Sequence, residues 1–273
     1  MALDLQYGKD DKNRARRIDF DSDAANYDRA RPRYCPELFE EIIGIAGITE
    51  RSKILEIGPG TGQATEPFLD LGCRVTAAEL GEHLAEYLRM KYADRENLTV
   101  WQGDFLSFPE NEKFDLIYSA TAFHWIPREE GFAKVQRFLK PGGTLALFWN
   151  HSVIGGGPDS PDNQTVQPVY REFGQGSDAK PFDGSSCPAY EQALRDVGFL
   201  DVQSRLFTSW RVLTGEQYVQ LMRSYSGHGK LPEDVRLRFE EKMAEAIRSA
   251  GDALHIKDVM DLYLAKMPME DVK

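Results

Sequence analysis

The sequence predicts an α/β fold, and three observations carry that expectation. Short apolar runs such as Ile54-Leu55-Glu56-Ile57 alternate with amphipathic stretches of helical period. The first run stops at Gly58-Pro59-Gly60-Thr61-Gly62 and passes into a helical pattern. A strand, a glycine turn and a helix start together make a nucleotide-sized site, because glycine lets the backbone approach a ligand and the free amides of the helix start point toward it. In open α/β sheets, ligands collect at such carboxyl ends of strands.

The elements follow in order. Glu37 to Gly47 has a helical apolar face of Leu38, Ile42, Ile45 and Ala46 and leads into the first strand. Thr65 to Leu71 continues the helix after the glycine turn, and Arg74 to Glu79 reads as the second strand. A helix over about 82–92 precedes a third strand, Leu98 to Trp101, and Lys113 to Ser119 is the fourth. After a helix over about 128–138, the turn Leu139-Lys140-Pro141-Gly142-Gly143 introduces a fifth strand, Thr144 to Trp149.

Residues 150–187 are rich in Gly, Pro, Asp and Ser, with one helical piece around Val166 to Phe173, and are expected to form a lid. Ala189 to Gly198 is a helix and Asp201 to Val212 a strand. Thr214 to Ser224 and Pro232 to Ala250 are amphipathic helices expected to complete the lid, and Ala253 to Ala265 supplies the final strand. With no internal repeat and no linker, one domain spans 1–273. Its core is expected at about 36–149, 188–212 and 252–266, and its cap at 1–35, 150–187 and 213–251.

Composition narrows the partners. The chain has 273 residues, 41% hydrophobic and 28% charged, the balance of an ordinary soluble globular protein. A net charge of −11 argues against nucleic acid, which is bound through clustered Lys and Arg. The basic run Lys12 to Arg17 is short and reads as a solvated segment. The N-terminus has no apolar leader, and no apolar run reaches the ~18 residues of a membrane span. Cys35, Cys73 and Cys187 lie far apart and are odd in number, which fits a cytoplasmic setting. The five histidines have no ligand spacing with cysteines or acids, so no metal is expected.

The glycine spacing selects the ligand. Counted from Gly58, the third glycine of G-x-G-x-x-G would fall on Gln63, and that residue also breaks a P-loop. A carboxylate, Glu56, stands inside the preceding strand, where it would repel a diphosphate and hold a cation. S-adenosylmethionine carries an ammonium, a sulfonium and no phosphate. Here the chain resembles the class I S-adenosylmethionine-dependent methyltransferases. The likeness implies a doubly wound, seven-stranded Rossmann-like sheet whose last strand is antiparallel, with a helical cap.

Further motifs carry the resemblance. Phe20 to Tyr34 looks like the F-x-x-x-A-x-x-Y-D-x-x-R-P-x-Y segment that precedes the core in many small-molecule members. It implies that Tyr27 and Arg31 close over the methionine end of the cofactor, by cation–π attraction and by a bidentate carboxylate contact. Glu79, 21 residues after Gly58, would accept the ribose hydroxyls, as an acid there does in dinucleotide sites too. Asp104 and Phe105 match the positions that take the adenine amino group and pack on its ring. The remaining cofactor contacts implied are Glu56, Gly58, Gly60, Gly62, Gln63, Leu80, Ser119 and Ala120.

Methyl transfer chiefly requires positioning, with the reacting atoms ~3–3.5 Å apart and water excluded. His124, after strand four in Phe123-His124-Trp125, is the candidate general base if the acceptor must lose a proton; otherwise it holds the loop. Trp125 is expected to line the substrate pocket. Together with Leu221 to Ser226, these features resemble the trans-aconitate methyltransferase-like group, which esterifies small carboxylic acids. Arg223, with Arg211 and His228, would then bind a carboxylate. The expected activity is methyl transfer to a small molecule at a carboxylate or hydroxyl oxygen. Two rivals stand beside it: a non-catalytic S-adenosylmethionine-binding protein and an NAD(P)-dependent oxidoreductase.

Overall fold

The computed structural model describes residues 24–109, 111–176, 180–225 and 227–269. The N-terminal lead, Phe20 and Ser226 of the sequence motifs lie outside the described residues. Seven strands form one sheet in the order β3-β2-β1-β4-β5-β7-β6. They are β1 (Lys53–Ile57), β2 (Arg74–Glu79), β3 (Leu98–Gln102), β4 (Phe114–Ala120), β5 (Leu139–Ile154), β6 (Leu200–Leu213) and β7 (Leu254–Lys266). Strands β1 to β5 are parallel to one another, and β7 runs antiparallel to both β5 and β6. This is the doubly wound sheet with a reversed last strand that the sequence leads one to expect.

Alternation along the strands feeds two cores. Leu55, Ile57, Leu145 and Leu147 face α5 (Arg128–Phe138) and α7 (Cys187–Asp196) through Phe132, Phe138, Tyr190 and Leu194. Ile54, Leu116, Ala146 and Phe148 face α2 (Pro36–Ala46), α3 (Glu66–Asp70) and α4 (Glu82–Lys91) through Leu38, Ile42, Phe68 and Leu88. A third apolar cluster builds the cap. There α6 (Pro161–Glu172), α8 (Gly215–Arg223) and α9 (Glu233–Ser249) meet through Val166, Leu221, Phe239 and Met243, over Leu254 and Ile256 of β7. The first described helix, α1 (Ala24–Ala30), ties itself to α8 when Asn26 Nδ2 donates to the Gln220 carbonyl at 3.0 Å.

The fifth strand departs from expectation at both ends. It begins at Leu139, which pairs with Phe114, and the Pro-Gly-Gly segment makes an irregularity inside the strand, with Gly142 at φ +73°. It continues past Trp149 to Ile154 because β7 stays paired with it as far as Ile256. Residues 150–154 therefore belong to the sheet and not to a lid. The chain turns at Gly155 and Gly156, at φ +58° and +77°, and the helix that follows starts at Pro161, capped when Ser160 Oγ accepts from Asn163 N. Strand β4 ends earlier, at the Ala120–Phe148 pair, so the last stretch of β5 has one free edge. That edge borders the site.

Candidate functional site

A cavity of about 470 Å³ opens at the carboxyl ends of β1, β2, β4 and β5, beneath α1 and the turn after α8. The glycine loop forms its floor. Gly58 adopts φ +68°, and a Cβ there would stand 2.6 Å from the Ala122 Cβ, so only glycine lets the two loops approach. Gly60, at φ +59°, lies under the Tyr27 ring, 3.4 Å from the position of a Cβ. Glu79 is buried at the end of β2, where Oε2 accepts from Gly60 N at 2.9 Å and Oε1 from Gly81 N at 2.8 Å. It thus fixes the loop, and each oxygen has further lone-pair capacity for a diol.

Over the opposite wall lies Arg31. Its guanidinium sits between two rings, 4.9 Å from the Tyr27 centroid and 4.8 Å from that of Tyr225, and Nη2 donates to the Ser224 carbonyl at 2.7 Å. This cation joins α1 to the end of α8 across the cavity mouth. Burial pushes the phenols of Tyr27, Tyr34 and Tyr225 upward in pKa, so all three are neutral at physiological pH.

His124 stands in a short 3₁₀ turn, Phe123–Trp125, after β4. Trp149 Nε1 donates to its Nδ1 at 3.0 Å. An indole N–H can only donate, so Nδ1 holds a lone pair and Nε2 of the neutral ring carries the hydrogen. Protein atoms crowding the cleft lower its pKa to about 4, although the ring also has an open side, where water tempers that shift.

The cavity brings together Tyr27, Arg31, Gly58, Gly60, Gln63, Glu79, Leu80, Phe105, Ala120, His124 and Trp125. Seven other residues expected at the site are set back from its wall. Glu56 is wholly buried behind the loop, where Thr65 Oγ1 donates to it at 2.6 Å and burial raises its pKa to about 7. Gly62, at φ +88°, turns toward Leu88 and Tyr92. Asp104 Oδ1 accepts from Leu106 N at 3.0 Å and so caps the turn that presents Phe105. The Ser119 hydroxyl is spent on the Ile57 carbonyl at 2.8 Å. Arg223 pairs with Glu240 at 2.7 Å within the cap, and His228 takes the other oxygen of that carboxylate at 2.8 Å. Arg211 is likewise held by Asp258 at 2.6 Å.

Other lining residues escaped the sequence. Tyr34 and Tyr225 stood in quoted motifs without an assigned role, and Tyr34 shares a 2.7 Å hydrogen bond with Thr121. Asn150 and Ser152 were read as loop. Their signal was the two-residue alternation continuing from Phe148, masked by the glycines that follow.

Comparison with known proteins follows this geometry. Residues 55–147 match the family described as a methyltransferase domain. An uncharacterized methyltransferase of Schizosaccharomyces pombe is 28% identical over 245 residues, which cover 88% of this chain and 91% of that protein. A malonyl-[acyl-carrier protein] O-methyltransferase of Ilyobacter polytropus is 35% identical over 98 residues, 35% of this chain and 38% of its own length. A solved structure from Anaeromyxobacter dehalogenans, described as a type II methyltransferase, superposes with a TM-score of 0.62 at 18% identity, covering 88% of this chain and 99% of that one; it attests to the fold alone. The sheet order accords with that fold, and the chain is a class I S-adenosylmethionine-dependent methyltransferase.

Proposed function

We propose that the chain methylates an oxygen of a small carboxylic acid, with the cofactor laid along the glycine loop. Glu79 would take the ribose hydroxyls, Leu80 and Phe105 would flank the adenine, and Tyr27 with Arg31 would close over the methionine end. The cradle fits that ligand: Gly58 and Gly60 open space that a Cβ would fill, and among the described residues no cluster of Lys and Arg lines the cavity beside them. Gln63 and Ala120 complete the wall. Glu56, Gly62, Asp104 and Ser119 act from behind it, by shaping the loop and the turns. When bound, S-adenosylmethionine supplies an electrophilic methyl group on a sulfonium that departs as a neutral thioether.

The observation that carries the acceptor class is the state of His124. With Nδ1 occupied by the Trp149 N–H, the neutral ring offers an N–H at Nε2 and no lone pair there. The other titratable groups on the wall are the neutral phenols of Tyr27, Tyr34 and Tyr225, the Arg31 cation and Glu79, which is engaged at the ribose end. An alcohol or ammonium acceptor would need a base to remove its proton. A carboxylate is already ionised at neutral pH and needs none. His124, Trp125 and Arg31 would then orient it and exclude water. The Ilyobacter relative, named a malonyl-[acyl-carrier protein] O-methyltransferase, lends support to an oxygen acceptor. A cytoplasmic setting belongs to the same reading, supported by three free, scattered thiols.

Calorimetric titration with S-adenosylmethionine, S-adenosylhomocysteine and NADH tests the cofactor site. Micromolar binding of both adenosyl ligands, lost in Glu79→Ala, and none for NADH is expected. Transfer of labelled methyl to a panel of carboxylates, alcohols and amines then tests the acceptor. Transfer to amines alone would refute the reading.

A further inference from the structure

Asn150 lines the cavity, and neither its Oδ1 nor its Nδ2 has a hydrogen-bond partner although both atoms are closed off from water. Strand β4 stops at the Ala120–Phe148 pair, so beyond Phe148 no strand flanks β5 on that side. Two residues on, Ser152 shares the same face, but its hydroxyl is committed: it donates to Asp258 Oδ1 at 2.5 Å and accepts from Arg211 Nη2 at 3.2 Å. Arg211 in turn holds Asp258 at 2.6 Å. This neighbouring network leaves the Asn150 amide as the one side chain here with both a donor and an acceptor unspent among the described residues.

A buried amide without partners destabilises the fold unless a ligand completes it, because both groups have given up their hydration. We propose that Asn150 is the specificity-determining residue for the methyl acceptor. It pairs through Nδ2 with a carboxylate oxygen and through Oδ1 with an adjacent hydroxyl. The acceptor is then a small 2-hydroxy carboxylate, which displays those two groups along one edge at a spacing that matches a primary amide. Its second carboxylate oxygen remains free to take the methyl group. This inference rests on the oxygen-acid reading above and names the subclass.

The assignment separates substrates in a way burial alone does not. A site built to pair a hydroxyl rejects the analogue lacking it, since the protein group is then left buried and unpaired. The experiment compares wild type with Asn150→Leu, an apolar residue of similar size, using matched pairs of 2-hydroxy acids and their deoxy analogues. The wild type is expected to favour the hydroxy acid by roughly 10² or more in kcat/KM. Asn150→Leu should lose that preference, retain S-adenosylhomocysteine affinity and, without ligand, melt no lower than wild type. A lower melting temperature in Asn150→Leu would show a structural amide and overturn the proposal. So would an unchanged preference. If the wild type methylates alcohols or amines but no carboxylate, the oxygen-acid reading falls and takes the hydroxy-acid assignment with it. If it methylates carboxylates without regard to the hydroxyl, only the role of Asn150 falls.

Discussion

Glu56 has its carboxyl fully buried beneath the glycine loop, and desolvation lifts its pKa from 4.5 to about 7 despite the Thr65 hydroxyl at 2.6 Å. The unfolded chain releases this proton near pH 4.5, whereas the folded chain keeps it until about pH 7. Between those values the folded state binds more protons, so stability falls as pH rises through the window and then levels off. The whole effect is bounded at about 3 kcal/mol. Glu56→Gln keeps the size and an acceptor for Thr65, and should flatten the dependence. Urea unfolding from pH 4.5 to 8 measures it; parallel curves for the two proteins would mean that Glu56 is ionised in the fold. His124 titrates in the opposite sense: crowding by protein atoms lowers its pKa, and water on its open side limits the shift. The methylation rate should therefore be flat from pH 6 to 9. Trp149→Phe removes the donor from Nδ1 and allows protonation there, but Nε2 keeps its hydrogen, so the profile of that variant should stay flat as well. An acid limb near pH 6.5 in the wild type would contradict the donor role of His124.

Helix α8 links the cap to the site. Its first turn is closed by a capping box, with Thr214 Oγ1 accepting from Gln217 N and Gln217 Oε1 accepting from Thr214 N, and its last turn gives the Ser224 carbonyl to Arg31. Thr214→Ala should lower stability by about 1 kcal/mol. Amide exchange should rise over residues 215–225, while β1 to β4 keep their protection; uniform loss across the sheet would show that the cap is not an independent element. This helix was legible in the sequence because its apolar spacing and its Thr-x-x-Gln start agree. The glycine loop was legible for a related reason, since short-range chemistry fixes it, whereas the reversed last strand came with the family resemblance. Strand β5 was not. Its last residues are held by pairing with β7, a hundred positions away, and their own Gly- and Pro-rich surroundings argue for loop. Asn150 and Ser152 were missed with it. Arg223 was misplaced because a helical pattern places a residue on a face without naming its partner, and Glu240 supplies one.

At the scale of the molecule, three parts of the fold meet at the cavity. Helix α1 contributes Tyr27, the sheet ends contribute the loops from Gly58 to Ala122, and the turn after α8 contributes Tyr225. Arg31 bridges the first and last of them, stacked on a tyrosine from each side, beside the Asn26–Gln220 bond. A ligand filling this space touches all three at once, so its binding energy adds to their mutual attachment. By mass action, S-adenosylhomocysteine at 100 times its dissociation constant should stabilise the fold by about 2.7 kcal/mol. Because the ligand spans the parts, exchange protection should rise together in residues 24–34, 57–64 and 218–225, and Arg31→Ala should uncouple the first and last from the middle. The middle segment alone would still respond in that variant, since Glu79 and the glycine loop are intact. Protection confined to 57–64 in the wild type would mean that the cofactor is read by the sheet without the cap, and that α1 and α8 serve the acceptor only.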